Sequence, residues 1–565
     1  MRTPSDQPNE KTAGNEARKR QHGGNFLAQG SILAVSGIIV RIIGLLYRVP
    51  VTNIIGEQGS GYYQVAYEIY NIALILSSYS LPLAVSKLMA AREVEKKYKQ
   101  SFRLFVCAMA FAIVSGLLMS LIIFLGAGFI AEKFFDMPGV VIPLRVLAPT
   151  ILVCAILGVL RGFYQGKHTM IPTALSQILE QIVNAAVSVG AAAILMKKYA
   201  NDPSVYSHGA AGSTLGTFSG ALIGLIFLAL VYLAYRPTVL KQIRRQERKD
   251  QKEGLVDEET WGAIFKVLIF TIIPVILSQT IYQISGVLNT FLFNKIMSAK
   301  GMDESTRSTL TGIYGSKYRT LINVPIAISQ AVETAMVPSL VASVVQKDTQ
   351  AIQKKIGNAV KFNMMIAIPA AVGLSVLAKP IINLLFHNNT EVAYTILRFG
   401  AYAVIFYALS TVYNGVLQGI NRMSVPVKHS AISLGINLIL VVLLLRFTGL
   451  SIFSLVVVNI MFPLIVSILN WISVRKETGY EQELITTFAM PLGSSVAMGV
   501  VAWGMYQLFY LIFKSNALAC LGAILIAVIV YVIMLCVLRC FTKEELYDFP
   551  MGARIVKILT RFRLL

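Results

Sequence analysis

Residues 144–166 read LRVLAPTILVCAILGVLRGFYQG, and residues 397–419 read LRFGAYAVIFYALSTVYNGVLQG. At an offset of 253 the two stretches pair Gly162 with Gly415, Gln165 with Gln418 and Gly166 with Gly419, and further on Asn184 with Asn437. At an offset of 256, Gly59-Ser60-x-Tyr62 aligns with Gly315-Ser316-x-Tyr318, and Leu81-Pro82 with Val337-Pro338. The chain is internally duplicated, and a repeat of this size constrains the architecture more than any single residue does. Each stretch is also an apolar run of the length that crosses a bilayer, about 20 residues.

Runs of the same kind fall near 26–50, 60–88, 101–130, 140–162, 169–196, 209–234, 262–294, 310–344, 357–378, 391–419, 424–446, 450–474, 484–513 and 516–540. They predict an all-α, polytopic membrane protein of fourteen transmembrane helices. Helices 1–6 and 7–12 are the two copies; six being even, the copies share one orientation and form two six-helix lobes in a parallel repeat. Helices 13 and 14 are an appended pair. The expected divisions are a disordered cytoplasmic tail (1–25), an N-lobe (26–234), a basic cytoplasmic linker (235–261), a C-lobe (262–474), helices 13–14 (475–540) and a basic cytoplasmic tail (541–565).

Composition agrees. Of 565 residues, 56% are hydrophobic and 14% charged, against about 45–50% and about 25% in soluble proteins; this leaves no room for a large soluble domain and excludes a soluble enzyme. The net charge of +22 is read first as topology, because Lys and Arg accumulate in cytoplasmic loops. Five lie in the N-tail, six in 87–103, seven in 236–252 and six in 539–563. Both termini are therefore expected in the cytoplasm, and no nucleic-acid partner is implied. The five cysteines, Cys107, Cys154, Cys520, Cys536 and Cys540, sit in apolar runs without a CxxC pair. No GxxxxGK[ST] loop or HExxH occurs, and the five histidines are scattered. No cofactor, metal site or enzymatic activity is expected.

Parallel repeats about an axis along the membrane normal are a transporter architecture, with substrate bound between the halves. The alternative is an old duplication with no transport role. Polar residues inside the spans carry the site reading, since a charge at mid-membrane costs roughly 2.5–3.5 kcal/mol on insertion scales. Arg41 and Arg48 are seven residues apart, two turns, and form a cationic stripe with Gly44 between them. Lys317 and Arg319 face opposite ways. Each either lines a cavity or snorkels to the headgroups, and Arg319 is the better cavity candidate because Glu333, fourteen residues on, falls near its face. Arg48 has the same two readings, and Lys266 reads as an interface anchor. Helix 2 carries Glu68. Helix 5 carries Gln177, Glu180, Gln181 and Asn184 in a polar stripe; its repeat equivalents are Ser430, Ser433, Leu434 and Asn437, so the two lobes differ chemically. Glu180 either ionises, to carry a coupling cation, or only packs helix 5.

The segment Arg161-Gly-Phe-Tyr-Gln165-Gly166, followed by Met170-Ile-Pro172-Thr-Ala-Leu-Ser176-Gln177 and Glu180-Gln181, resembles the helix 4–5 signature of stage V sporulation protein B-like and MurJ-type flippases of the multidrug/oligosaccharidyl-lipid/polysaccharide exporter superfamily. Arg41-Ile-Ile-Gly44 with Tyr47-Arg48, Tyr314-Gly315 and Val337-Pro338-Ser339 are similar to that branch as well. The resemblance implies a V-shaped pair of lobes around a cationic cavity, with helices 13 and 14 shaping a groove for a polyprenyl tail. It also implies flipping of an undecaprenyl-pyrophosphate-linked sugar across the bacterial cytoplasmic membrane for cell-wall or polysaccharide synthesis. Arg41, Gly44, Arg48, Glu68, Lys317 and Arg319 become candidates for the substrate site, and Gln177, Glu180, Gln181, Asn184, Glu333 and Asn437 for a polar cavity serving a coupling Na or H ion. Glu68 stands on a helix where Gram-negative relatives carry arginine, so the cargo is left open between lipid II and another lipid-linked glycan. A cation-coupled drug or metabolite antiporter of the same fold, and a non-transporting accessory of wall synthesis, are the other readings.

Overall fold

A computed structural model describes residues 10–253, 259–387, 390–540 and 557 of the chain. The described residues hold helices and no strand: α1 (Glu10–Leu74), α2 (Leu81–Val94), α3 (Tyr98–Gly128), α4 (Val141–Gly166), α5 (Ile171–Lys198), α6 (Val205–Glu253), α7 (Trp261–Ala299), α8 (Glu304–Gly312), α9 (Thr320–Val345), α10 (Thr349–Val376), α11 (Ala378–Leu385), α12 (Glu391–Gly400), α13 (Ala403–Gly419), α14 (Ser424–Phe447), α15 (Phe453–Thr478), α16 (Met490–Phe513) and α17 (Asn516–Val537). Wider π-helical turns join several of them, among them Ile313–Arg319 between α8 and α9.

Polar residues mark the ends. The Thr260, Asp303 and Asp348 side chains accept the backbone N–H of Ala263, Thr306 and Ala351 at the starts of α7, α8 and α10. The Thr306 N–H and hydroxyl, donating to the Asp303 carboxylate, hold that carboxyl below its usual range. Proline opens α2, α5 and α16. Gly56, at φ 70°, breaks α1 in a conformation that side-chain-bearing residues resist.

Eleven helices among the described residues are long and apolar enough to cross a membrane, or twelve if α12 and α13, bent by 41°, make one span. This is fewer than the fourteen expected. Ser36–Val94 counts once although it has 59 residues and contains the break at Gly56, and the apolar start of α7 counts only as a shorter helix, Trp261–Ile273.

Two other boundaries differ from the sequence reading. Helix α1 already begins at Glu10, so the tail expected to be disordered is helical from there, while residues 1–9 lie outside the described residues. The linker is not a loop: α6 runs through it to Glu253. Its Lys, Arg, Gln and Glu are good helix formers that simply prolong the spanning helix. Of the C-terminal tail only residue 557 is described, so that expectation lies outside the described residues.

Helix α7, assigned with the second copy, also divides its packing. Ile264, Leu268 and Ile272 are buried in one core with Leu81, Phe105, Phe163 and Leu228, whereas Phe293 and Met297 at its other end are buried with Tyr318, Val360, Val412 and Leu455. The start of α7 is held by Glu259, whose carboxylate accepts Arg92 at 3.0 Å and whose carbonyl accepts Arg103 at 3.0 Å. A further core joins Val372 of α10 to Met498, Ala502 and Tyr531 of α16 and α17.

Bonds between the two repeat copies gather at one end of the bundle. Asn53 donates to the Leu385 carbonyl at 3.0 Å and accepts the His387 N–H at 3.0 Å. Ser308 donates to the Gln58 carbonyl at 2.7 Å, the Gly139 N–H to Glu304 at 2.9 Å, and Ser298 to Asp136. Here α1 and α8 touch so closely that a Cβ on Gly61 would stand on the Ser308 carbonyl.

Candidate functional site

The stripe on α1 opens into space. Arg41, Gly44 and Arg48 line a cavity of about 720 Å³, with Tyr47, Tyr67, Gln181 and Asn184, and a facing wall from Thr320 to Ala331 on α9. A Cβ on Gly44 would meet nothing within 4 Å, so the glycine widens the floor between the two cations. The Arg41 guanidinium donates to the Ala327 carbonyl at 3.2 Å, the neutral contact that bridges the cavity from α1 to α9. Arg48 also borders a small neighbouring void with Tyr63 and Gln64. Neither arginine has a carboxylate partner among the described residues. No acidic side chain is among the described residues that line the cavity.

The helix 5 stripe splits. Asn184 donates to the Tyr47 hydroxyl and to Gln181, each at 3.3 Å, and accepts Ser188 at 3.0 Å, which fixes Tyr47 beside Arg48. Gln177 is half-buried one turn earlier. Glu180 turns instead to α4, where Arg161 meets its carboxylate at 2.6 Å and donates to Ser176 at 3.2 Å. This partner was missing from the sequence reading, although a legible signal existed: α4 and α5 are antiparallel across the turn at 167–170, which brings residues on either side of it level. At the repeat-equivalent positions the second copy has no charge pair. Asn470 donates to Asn414 at 2.7 Å, its carbonyl oxygen lies 2.7 Å from His429 Nδ1, and Ser433 donates to the Phe462 carbonyl at 2.9 Å. Asn437, grouped by sequence with the cavity residues, is fully buried and ties α14 to the Val458 carbonyl of α15 at 2.8 Å. Its place is in the packing because its neighbours, unlike Tyr47, present backbone rather than open space.

The turn at Ile313–Arg319 sends its two cations to two carboxylates of α1. Lys317 is 1% exposed, with Nζ 2.5 Å from Glu57 and 5.5 Å above the Phe386 ring. It faces neither headgroups nor cavity. Glu57 was missed as well, its cation lying 260 residues away in sequence. Arg319 donates to Glu68 at 3.0 Å; Glu68 also accepts Gln64 at 2.8 Å and lies beside the Thr290 hydroxyl. Glu68 is thus the ion-pair partner of Arg319, and Glu333 is not: it packs on Gly415 and pairs with no described residue. Lys266 rests on Phe270 at 5.9 Å. Arg319 lines a second cavity of about 170 Å³, which shares Asn323, Ile326 and Gln330 of α9 with the larger one. Among the described residues no cluster of three or more His, Cys, Asp and Glu side chains is arranged to hold a metal.

Comparison with known proteins gives two family matches: a model described as polysaccharide biosynthesis protein over residues 26–344, and the MatE model over residues 317–443. The chain is 26% identical to an uncharacterized membrane protein, YabM, of Bacillus subtilis (strain 168), covering 95% of this chain and 97% of the relative. It is 25% identical to stage V sporulation protein B of the same organism over 94% and 99%, and 24% identical to its lipid II flippase MurJ over 84% and 87%. Among solved structures, lipid II flippase MurJ in an inward closed conformation superposes with a TM-score of 0.65 at 16% identity, covering 90% of this chain and 98% of that one.

Proposed function

Because the chain belongs to the polysaccharide biosynthesis protein family, we propose that it is a flippase moving an undecaprenyl-pyrophosphate-linked glycan, lipid II or a related precursor, from the inner to the outer leaflet of the bacterial cytoplasmic membrane. The observation that carries this reading is the 720 Å³ cavity with two arginines, no lining carboxylate and largely apolar walls. A pyrophosphate brings negative charge that guanidinium groups bind in a planar, two-bond fork. The apolar wall suits the first isoprene units. The names of the relatives point the same way. A cation-exchanging antiporter needs carboxylates where these arginines stand.

Fourteen spans fit this reading: dividing Ser36–Val94 at Gly56 and admitting Trp261–Ala299 brings the twelve to fourteen. The separate cores support two lobes, 26–234 and 262–474, with α7 reaching into both. Both termini and the extension of α6 lie in the cytoplasm, which makes the tightly bonded end the outer one and the described state inward-facing. Arg41 and Arg48 hold the pyrophosphate, while the pair Arg161–Glu180 is the site where a coupling H or Na ion would act. Lys317 and Asn437 take structural roles.

The test is complementation of a strain depleted of its lipid-linked-sugar flippases, with outer-leaflet precursor measured directly. A hydrogen bond to a charged group is worth about 1.5–3 kcal/mol, so Arg41→Ala should lower flipping by roughly 10- to 100-fold at normal expression, and Arg41→Lys should recover part of it. Full activity of Arg41→Ala together with Arg48→Ala would refute the anionic-headgroup reading.

A further inference from the structure

We propose that the smaller cavity beside Arg319 is a subsite for one uncharged sugar ring of the cargo, binding it through hydroxyl groups and rejecting ionised substituents. The proposal rests on the flippase reading above and adds the chemistry of the unit next to the pyrophosphate.

Charge comes first. Among the described residues Arg319 is the one charged side chain lining this cavity, and it is already paired with Glu68, whose side chain is 7% exposed. The guanidinium repels a metal ion, and the carboxylate offsets it toward an anion, so the cavity favours a neutral occupant. The remaining polar lining consists of neutral side chains that both donate and accept, Gln283, Asn289, Asn323, Gln330 and Thr411 among them. An apolar occupant would leave these unpaired at substantial cost.

Two details point to hydroxyl groups in particular. Asn289 lines the cavity and is 8% exposed, and its Oδ1 is covered with no hydrogen-bond partner; a flip of the amide turns that unpaired acceptor toward the cavity, where a donor satisfies it. Tyr407 accepts the Asn459 amide at 3.1 Å, and Asn459 in turn accepts the Tyr318 hydroxyl at 2.9 Å. The Tyr407 ring is therefore held in place and keeps its own proton to donate inward. A sugar hydroxyl is both donor and acceptor, so it satisfies Asn289 and Tyr407 alike.

Size and position agree. The volume of about 170 Å³ is that of roughly five or six waters at about 30 Å³ each, room on the scale of a single sugar ring and not of a disaccharide. The wall shared through Asn323 and Gln330 sets the subsite directly beside the arginine cavity, as a sugar is joined directly to pyrophosphate.

The test uses the full-length protein in detergent and native mass spectrometry with three probes: undecaprenyl pyrophosphate, the same lipid carrying one N-acetylhexosamine, and that glycolipid with an added carboxylate on the sugar ring. The neutral glycolipid should bind at least tenfold more tightly than the sugar-free lipid, and the carboxylate should cancel that gain. Thr411→Val, which removes one hydroxyl, should erase on the order of tenfold of the preference; Asn289→Leu with Thr411→Val should erase all of it; Thr411→Ser should retain it. A wild-type protein that binds both uncarboxylated lipids equally, or a Thr411→Val protein with its preference intact, overturns the subsite and leaves the flippase reading standing. Failure to bind any polyprenyl pyrophosphate would instead overturn the flippase reading itself.

Discussion

Removing the charge of Glu57 should open the end of the molecule that Lys317 helps to close. Lys317 is 1% exposed and Glu57 10% at the side chain, with 2.5 Å between them. Glu57→Gln removes the carboxylate that faces the buried Lys317 ammonium at 2.5 Å, a loss of about 3–5 kcal/mol. The cost falls on the closed end alone, because separation of α1 from the turn at 313–319 returns Lys317 to water. With every 1.4 kcal/mol worth a factor of ten, the closed-to-open ratio should fall by between about a hundredfold and a few thousandfold. The double variant Glu57→Leu, Lys317→Met behaves differently, since replacing a buried pair by apolar groups is often neutral or stabilising by about 1–4 kcal/mol; it should remain closed and transport poorly. Spin labels at Lys133→Cys and Glu391→Cys report the movement. Both sites are exposed, one just before Asp136 and the other just after Thr390, whose hydroxyl lies 3.5 Å from Glu57. Electron–electron distances should lengthen in the single variant and not in the double. A single variant with the wild-type distance distribution would refute the reasoning, because the pair would then contribute nothing to closure.

Glu180→Gln should impair flipping if the Arg161–Glu180 pair exchanges a coupling ion, and Arg161→Gln together with Glu180→Gln should not restore it; near-normal precursor flipping in Glu180→Gln would make the pair purely structural. A cysteine at Lys249 should resist a membrane-impermeant maleimide in intact cells whereas one at Asp303 should react, and the opposite pattern would invert the assigned orientation.

The duplication and the apolar runs make the helical plan legible in the sequence, because both are properties of long segments. Spacing alone also puts Arg41 and Arg48 on one face, since helical geometry is local. What the sequence does not carry is the identity of partners across the fold. Lys317 finds Glu57 and Arg319 finds Glu68 over 260 and 251 residues, and no local rule distinguishes a cation that meets a buried carboxylate from one that reaches the headgroups. The same limit explains Glu333, whose helical register matches Arg319 but whose side chain lies in the space left open by Gly415. The boundary of α6 fails for another reason: charge density marks the exit from the membrane, not the end of the helix, and Arg236 to Lys252 continue the same hydrogen-bonded ladder.

The placement of both unpaired arginines on one helix has an electrical consequence. Glu180 and Glu68 are each cancelled by an arginine, so the charge left over in the empty cavity is that of Arg41 and Arg48, and all of it belongs to α1. A charge carried through 100 mV of membrane field is worth about 2.3 kcal/mol. On the flippase reading proposed above, the voltage therefore does work on the unloaded carrier as that helix returns inward, in proportion to the fraction of the field it crosses. On the same proposal, a bound pyrophosphate of opposite charge neutralises the moving unit, so that voltage acts on the empty return stroke and spares the loaded one, and a negative interior would draw the vacant arginines back to the inner face.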